Sequence, residues 1–473
     1  MEDTKSHFDL VIVGGGPGGY GAALYGAAAG LDVALVEMGK LGGTCLHVGC
    51  IPAKELLETA SVLRTVRQAE EYGVKAGAPE LDMLQLMNRK QGVIDTLTTG
   101  VEGLLARRSV TVFSGVGELA GGKQVKISAS ASASDDSGQV ISGDNIILAS
   151  GSKPRSIPGF EVDGTLVVTS DQLLSLTKVP SRAVIIGGGA IGVEFASALN
   201  DFGSTVTIVE ALPQILAGCD KDIAKVVHRS FQKRGIGIRT GVSVEGHAPD
   251  SDMTTILLND GEKIEADLVV ISVGRRPYPD LLGLESAGIS VDKRGFVPVN
   301  DFCETQSSGI YAIGDLIDTP QLAHVAFAEA ILAIKRICRE DATPVDYAKV
   351  PWAIYCHPEV AFAGLSEAEA IEMGYEVEVS KHRYSGNGRA MIVGDTDGLV
   401  KVVAEKLPDG TLGQILGVHM VGPWVTEQLG QGYLAVNWEA TVAEVAEFIQ
   451  PHPTLSELFG ETVMSLTGRG LHG

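Results

Sequence analysis

Aromatic residues make up only 5% of this 473-residue chain, and its six cysteines are too few and too scattered for a structural disulfide framework. Scarce aromatics beside 59 glycines fit an α/β protein with many tight strand-to-helix turns. Basic residues are in deficit, 37 against 59 acidic, giving a formal net charge of −22. That balance argues against nucleic acid or an anionic membrane surface as partner and favours a basic docking partner. No apolar run reaches the roughly 20 residues that a membrane span requires. The first seven residues, Met1-Glu2-Asp3-Thr4-Lys5-Ser6-His7, carry neither a basic apolar signal nor an Arg-rich transit pattern, so a cytoplasmic protein is expected. Lack of period and of sustained polarity excludes a collagen-like or disordered chain. The length allows two to four domains with full apolar cores.

What the chain does contain is a repeat. Residues 8–13 read as a buried strand, followed by Gly14-x-Gly16-x-x-Gly19, an alanine-rich helix to about Gly30, and a strand over 32–36 ending at Glu37. Residues 183–186 lead likewise into Gly187-x-Gly189-x-x-Gly192, a helix to about Phe202, and a strand over 205–209 ending at Glu210. In both copies the glutamate stands 23 residues after the first glycine. The first glycine makes the tight turn, the second admits a pyrophosphate to the backbone, and the third lets helix pack on strand. The helix N-terminus receives the anion. Each glutamate would accept hydrogen bonds from ribose hydroxyls and repel a 2′-phosphate, so the second site is expected to prefer NAD to NADP. Two dinucleotides are expected, and they need not be the same.

Cys45 and Cys50 lie just downstream, in Gly42-Gly43-Thr44-Cys45-Leu46-His47-Val48-Gly49-Cys50-Ile51-Pro52. Residues five apart in a regular helix have Cα atoms roughly 8–9 Å apart, whereas a disulfide tolerates about 7 Å. If the two bond, the backbone must leave helical geometry, and Gly49 supplies the freedom. Such a bond would be strained and easily reduced. Two buried thiols, or half of a metal site using His47, are the alternatives, though no second Cys/His cluster completes four ligands and no metal is expected. Cys219, Cys303, Cys338 and Cys356 read as inert reduced thiols.

Residues 128–138 alternate serine and alanine and read as a solvated hairpin loop. Short apolar strands over 146–149 and 267–273 suggest the two ends of an inserted domain, and 309–315 a strand where the first domain resumes. From about Val350 strands over 360–365, 398–404 and 414–421 mix with helices from Ser366 and Val425. The helix over 426–438 is apolar on more than one side: one face buries against another subunit, or the helix is a doubly covered core element. His452 before a proline is an ordinary loop residue by itself, and Thr454-x-x-Glu457 fits a capping box.

Together Gly42 to Lys54, Gly187 to Ala196, Gly274-Arg275-Arg276-Pro277, Ala312 to Asp315 and His452-Pro453-Thr454-Leu455-Ser456-Glu457 make the chain resemble the pyridine nucleotide-disulphide oxidoreductases over nearly its whole length. The resemblance implies an α/β fold with two Rossmann-like domains and a C-terminal α+β dimerisation domain. Its expected boundaries are 1–152 and 277–349 for FAD, 153–276 for NAD and 350–473 for dimerisation. Gly14, Gly16, Gly19, Glu37, Gly43, Thr44, Gly117, Ser150 and Gly151 would hold FAD. Asp315 would meet the ribityl side, Ala323 the flavin through its backbone, and Lys54 would lie near the flavin N5, one helical turn from Cys50. Gly187, Gly189, Ile191, Gly192, Glu194, Glu210, Val242 and Gly274 would form the NAD site, and Glu194 also matches the carboxylate that pairs with Lys54 in the family.

The resemblance also implies the activity: Cys45 and Cys50 form the redox disulfide, His452 reaches across a homodimer as general base, and Glu457 orients its imidazole. The substrate would be dihydrolipoamide carried by the acyltransferase core of a 2-oxoacid dehydrogenase or by a glycine-cleavage lipoyl protein. With residues 1–8 too few to hold one, no attached lipoyl domain is expected. Glutathione-type, mycothiol-type and mercuric reductases are the rivals, with a redox-sensing or structural flavoprotein subunit beyond them. The absence of basic residues after Glu210 argues against NADPH, and the C-terminus lacks the paired cysteines of mercuric reductase. The chain departs from the pattern at His47 (asparagine is usual), Ala53 (serine), Ser150 (threonine), Ala330 (glycine) and Gln450-Pro451 before His452.

Overall fold

The strand His7–Val13 runs through the middle of a seven-stranded sheet in the computed structural model, which describes residues 6–129 and 138–472. Leu10, Val11 and Ile12 have no solvent exposure, the signature of a strand covered on both faces. Val33–Glu37 and Val140–Leu148 flank it in parallel, Thr111–Ser114 extends one side, and Ile310–Ala312 pairs in parallel with Val140–Leu148. The expected strand over 146–149 is only the end of Val140–Leu148, whose first residues pair antiparallel with Gln124–Ser128. That pairing flanks the serine- and alanine-rich segment, of which residues 130–137 lie outside the described residues. The helices Pro17–Ala28 and Ala323–Ile337 belong to this first unit, which comprises 1–56, 82–155 and 275–347.

The second unit comprises 57–81, 156–274 and 348–473, so it contains most of the expected NAD and dimerisation segments together. Here Arg182–Ile186 is the central strand of an all-parallel sheet, in the order Gly237–Thr240, Thr205–Glu210, Arg182–Ile186, Leu268–Ile271, Val167–Thr169. The repeat seen in the sequence is a repeat of architecture: strand, glycine turn, helix Ala190–Phe202, strand.

A separate five-stranded antiparallel sheet runs Trp352–Ile354, Glu359–Gly364, Leu412–Gly422, Leu399–Lys406, Val377–Arg383. Helix Val425–Asn437 packs Val425, Leu429, Ala435 and Val436 onto it, while Leu434 is 44% exposed and Trp438, just past its end, 72%. This excludes the doubly covered reading of that helix within one chain. Its apolar positions split between a buried face and an exposed one.

Candidate redox and dinucleotide sites

Gly43–Val48 forms a short helix, and Cys50 opens a second one, Cys50–Arg67. Between them Gly49 adopts φ −144° and ψ −118°, outside the helical region, so the chain leaves helical geometry at the glycine expected to supply that freedom. A side chain at Gly49 would place its Cβ 2.8 Å from Thr44 O and 3.2 Å from the Cys45 Cα, leaving no room for anything but glycine. Cys45 is half-buried and Cys50 exposed, and neither is joined in a disulfide. Hydrogen bonding with Cys50, then burial, push the Cys45 thiol well above its ordinary range, while the Lys54 ammonium pulls it down. Helix resumes at Cys50, so Lys54 follows one turn later on the same face. His47 Nε2 lies 2.8 Å from Leu41 O. Burial pushes the thiols of Cys219 (to about 12), Cys303, Cys338 and Cys356 upward, away from thiolate chemistry.

The two glycine turns are built alike. Gly14 has φ +104° and Gly187 φ +107°, and a Cβ would strike Ala149 O at 2.3 Å or Ser272 O at 2.4 Å. Gly16 and Gly189 are the N-caps of their helices, and among the described residues no side chain caps either, leaving the first amides for an outside acceptor. Gly43 approaches Gly16 so closely that a Cβ on Gly43 would lie 2.7 Å from the Gly16 Cα. Glu37 Oε2 accepts from Gly15 N at 2.5 Å and Oε1 from Gly39 N at 2.6 Å; Glu210 Oε2 accepts from Gly188 N at 2.6 Å and Oε1 from Leu212 N at 2.8 Å. Each carboxylate is thus oriented by backbone amides beside its turn, and these cradles fit two dinucleotides.

Other expected residues are placed as follows. Gly19 and Gly192 sit against the carbonyls of Gly14 and Gly187, where a Cβ would not fit. Gly117 lies against Val13 and Val36. Ser150 Oγ donates to Tyr278 O at 2.7 Å, and Gly151 has φ +72°. Thr44 lies in the short helix before Cys45, and Ala323 opens helix Ala323–Ile337. Just before that helix, Gln321 Nε2 is buried with no hydrogen-bond partner among the described residues, a donor suited to a bound group rich in acceptors. In the second unit, Ile191 is the second residue of helix Ala190–Phe202, Val242 N donates to Glu210 O at 3.3 Å, and Gly274 has φ +95°. Glu194, on the same helix, accepts from Tyr355 N at 2.8 Å.

Two residues to which the motifs gave no role support Asp315. Ser152 Oγ donates to Asp315 Oδ2 at 2.5 Å, and Arg275 Nε donates to Ser152 Oγ at 2.7 Å. Buried Glu329 accepts from Gly314 N at 2.6 Å, Thr319 Oγ1 at 2.8 Å and the Tyr347 hydroxyl at 3.0 Å; burial still pushes its carboxyl up to about 7. Arg275 was visible in a quoted motif, but its role was not.

In the second unit His452 Nδ1 lies 2.9 Å from Glu457 Oε2. A carboxylate only accepts, so Nδ1 carries the hydrogen and Nε2 of a neutral ring is left as the basic atom. The imidazole is 77% exposed and the carboxylate 16%. Glu457 also exchanges capping bonds with Thr454: Thr454 N to Oε1 at 3.3 Å and Glu457 N to Thr454 Oγ1 at 3.2 Å. The helix itself begins at Glu457, later than a standard box requires. One carboxylate therefore serves both the cap and the imidazole. A trio of carboxylates elsewhere, Asp220, Asp222 and Glu367, is close enough to hold a cation, and the Lys401 ammonium lies among them.

Residues 8–330 match the family model for pyridine nucleotide-disulphide oxidoreductases, and residues 350–463 match the dimerisation domain of the same family. The chain is 40% identical over 480 residues to a dihydrolipoyl dehydrogenase of Bacillus subtilis, covering 99% of each chain. It is 38% identical over 471 residues to one of Thermus scotoductus, covering 98% of each. Among solved structures, LpdA of Mycobacterium tuberculosis superposes with a TM-score of 0.89 at 25% identity, over 98% of this chain and 99% of that one. The HOCl-induced flavoprotein disulfide reductase RclA of Escherichia coli gives 0.85 at 26% identity, over 96% and 99%.

Proposed function

We propose that this chain, which belongs to the pyridine nucleotide-disulphide oxidoreductase family, oxidises protein-bound dihydrolipoamide to lipoamide and delivers the electrons to NAD+. The family uses FAD and NAD. The observation that carries the reading is the break at Gly49, which ends the short helix holding Cys45 and lets Cys50 open the next helix with Lys54 one turn further on. Residues 1–152 and 277–349 bind FAD through Gly14, Gly16, Gly19, Glu37 and Asp315, residues 153–276 bind NAD through Gly187, Gly189, Gly192 and Glu210, and 350–473 form a homodimer.

In the oxidised enzyme Cys45 and Cys50 are joined. His452 of a second copy takes a thiol proton from dihydrolipoamide at Nε2, and Glu457 stabilises the imidazolium formed. The substrate thiolate attacks Cys45, making one S–S bond and breaking another, and Cys50 leaves as thiolate. The second substrate thiol, once deprotonated, attacks its own sulfur, closing the lipoamide disulfide and releasing Cys45. FAD held by Gly14, Gly16, Gly19, Glu37 and Asp315 would supply the two-electron acceptor for the dithiol and the link to NAD+. Lys54, one turn from Cys50, provides positive charge beside the sulfurs.

The partner is a lipoylated acyltransferase or a glycine-cleavage lipoyl protein, and the setting is the cytoplasm. Consistent with that setting, among the described residues no helix is long and apolar enough to cross a membrane. Stopped-flow reduction of the flavin by dihydrolipoamide tests the reading: reduction within a turnover time and a long-wavelength thiolate band are expected, and Cys45→Ser and Cys50→Ser abolish turnover. A preference for glutathione disulfide with NADPH would overturn the substrate, and a flavin that stays oxidised would indicate a sensing or structural subunit.

A further inference from the structure

Asn387 is 4% exposed and stands 70 positions before Glu457, yet its side chain joins two segments of the second unit. Oδ1 accepts from Ala390 N at 2.9 Å and so caps the short helix Gly388–Ile392. That fixes Nδ2 as the donor on the other side. Nδ2 reaches Thr454 O at 3.0 Å and Glu457 Oε1 at 3.3 Å. The backbone of Asn387 is itself held by Tyr384 O at 2.9 Å, and the fully buried Tyr384 is tied through its hydroxyl to Gln428 Oε1 at 2.9 Å.

We infer that Asn387 is a positioning residue for the His452–Glu457 pair, acting through the Glu457 carboxylate; the inference rests on the reading of His452 as general base. Oε1 of Glu457 receives Asn387 Nδ2 and Thr454 N, which leaves Oε2 to face His452 Nδ1. With two donors on one oxygen the carboxylate cannot rotate about its last bond without losing both. The imidazole is mostly exposed, so little else restrains it. Arg389 and Glu427 are the charged side chains lining the adjoining 480 Å³ groove, beside Pro453 to Ser456. Glu457 is the carboxylate bonded to the ring. Asn387 thus does for Glu457 what Glu457 does for His452.

The test uses the full-length flavin-loaded protein and the rate of flavin reduction by dihydrolipoamide over a range of concentrations. Asn387→Ser and Asn387→Asp both keep an oxygen that caps Ala390 N, and both remove the amide donor. The saturating rate is expected to fall about tenfold in Asn387→Ser and further in Asn387→Asp, which sets a carboxylate against Glu457. The half-saturating concentration should stay within about twofold, because substrate contacts are untouched. In a Glu457→Ala background, Asn387→Ser should change the rate less than about twofold, since its route of action is gone. Rates within about twofold of the parent in both variants, with flavin retained, overturn the proposal. So does an undiminished effect in the Glu457→Ala background. Should the Ser variant lose flavin, the Asp variant decides; loss of flavin in both would make Asn387 a residue of the fold and also overturn it. A His452→Gln enzyme at parental rate would instead sink the base assignment. A slow His452→Gln enzyme beside fast Asn387 variants sinks this inference alone.

Discussion

The Lys401 ammonium lies 2.7 Å from Asp220 Oδ2, with 0% and 2% of the two side chains exposed. Asp222 at 2.9 Å and Glu367 at 2.8 Å complete its shell, and Lys381 reaches Asp222 at 2.7 Å. Asp220 also caps helix Lys221–Lys233, so one buried cation ties that helix to strand Leu399–Lys406. Replacing Lys401 by Met leaves buried Asp220 beside Asp222 and Glu367 without the shared cation, with Lys381 reaching Asp222. A loss of about 3–5 kcal/mol in denaturant unfolding is expected, and a loss below about 1 kcal/mol would show the cluster to be a surface-like pair.

The same cluster sets an acid limit. Burial raises the Asp222 carboxyl, but hydrogen bonds from Lys381 and Lys401 outweigh it and hold the group at about 2, below its ordinary 3.8. A carboxyl depressed on folding contributes stability above its unfolded value and loses it as pH falls toward the folded one. The thermal midpoint should therefore drop from pH 4 to pH 2 more steeply in the parent than in Asp222→Asn, with the two curves parallel above about pH 5.

Glu329 behaves in the opposite sense. Its folded carboxyl is pushed up to about 7 from an ordinary 4.5, so the native state holds a proton that the unfolded chain releases. Stability from this group is complete below pH 4.5 and is lost as pH rises through 7. Glu329→Gln retains neutral hydrogen bonding without the titration. Across that window the parent should lose roughly 3 kcal/mol relative to the variant, read from unfolding free energies at pH 4.5, 6 and 7.5. Parallel curves would mean that Glu329 stays ionised throughout.

At Gly49 the constraint is steric, because the Cβ of an alanine would meet backbone at 2.8 Å. Gly49→Ala should force Cys45 and Cys50 apart, lower stability by about 1–3 kcal/mol and slow flavin reduction by dihydrolipoamide at least tenfold, by order of magnitude. A thiol titration of the folded variant would show two independent sulfurs. Parental reduction kinetics would mean that the break is tolerant.

Glu210 closes the second cradle with its carboxylate held by Gly188 N and Leu212 N. Exchange for glutamine keeps an acceptor but removes the charge that opposes a 2′-phosphate. The preference for NADH over NADPH, measured as the ratio of kcat/KM values, should fall roughly tenfold, on the order of 1–2 kcal/mol. An unchanged ratio would place selectivity elsewhere.

The parts of this protein that could be read along the chain are those whose partners are near in sequence or repeat in it. Gly14-x-Gly16-x-x-Gly19 and Gly187-x-Gly189-x-x-Gly192 each specify a turn between a strand and the next helix, and that geometry is local. A break between the cysteines was readable as a condition of their bonding, and Gly49 is where the helix stops. The capping pair Thr454 and Glu457 was legible as bonds, but the start of its helix was not, because Glu457 also turns to His452. Glu329, Asn387 and Lys401 left no signal: a buried acid, amide or amine on an element looks in sequence like any solvated one.

Alone, the amino-acid order determined the two glycine turns, the acidic ends of the strands that follow them and the five-residue spacing of Cys45 and Cys50, since short-range sterics of glycine and the rise of a helix allow few alternatives. Tertiary structure decided which polar groups were to be buried together: Asn387 with Glu457, Lys401 with Asp220, and Ser152 between Arg275 and Asp315. The physical reason is that a polar side chain can be left to water until packing removes the water, and only then must it find a partner.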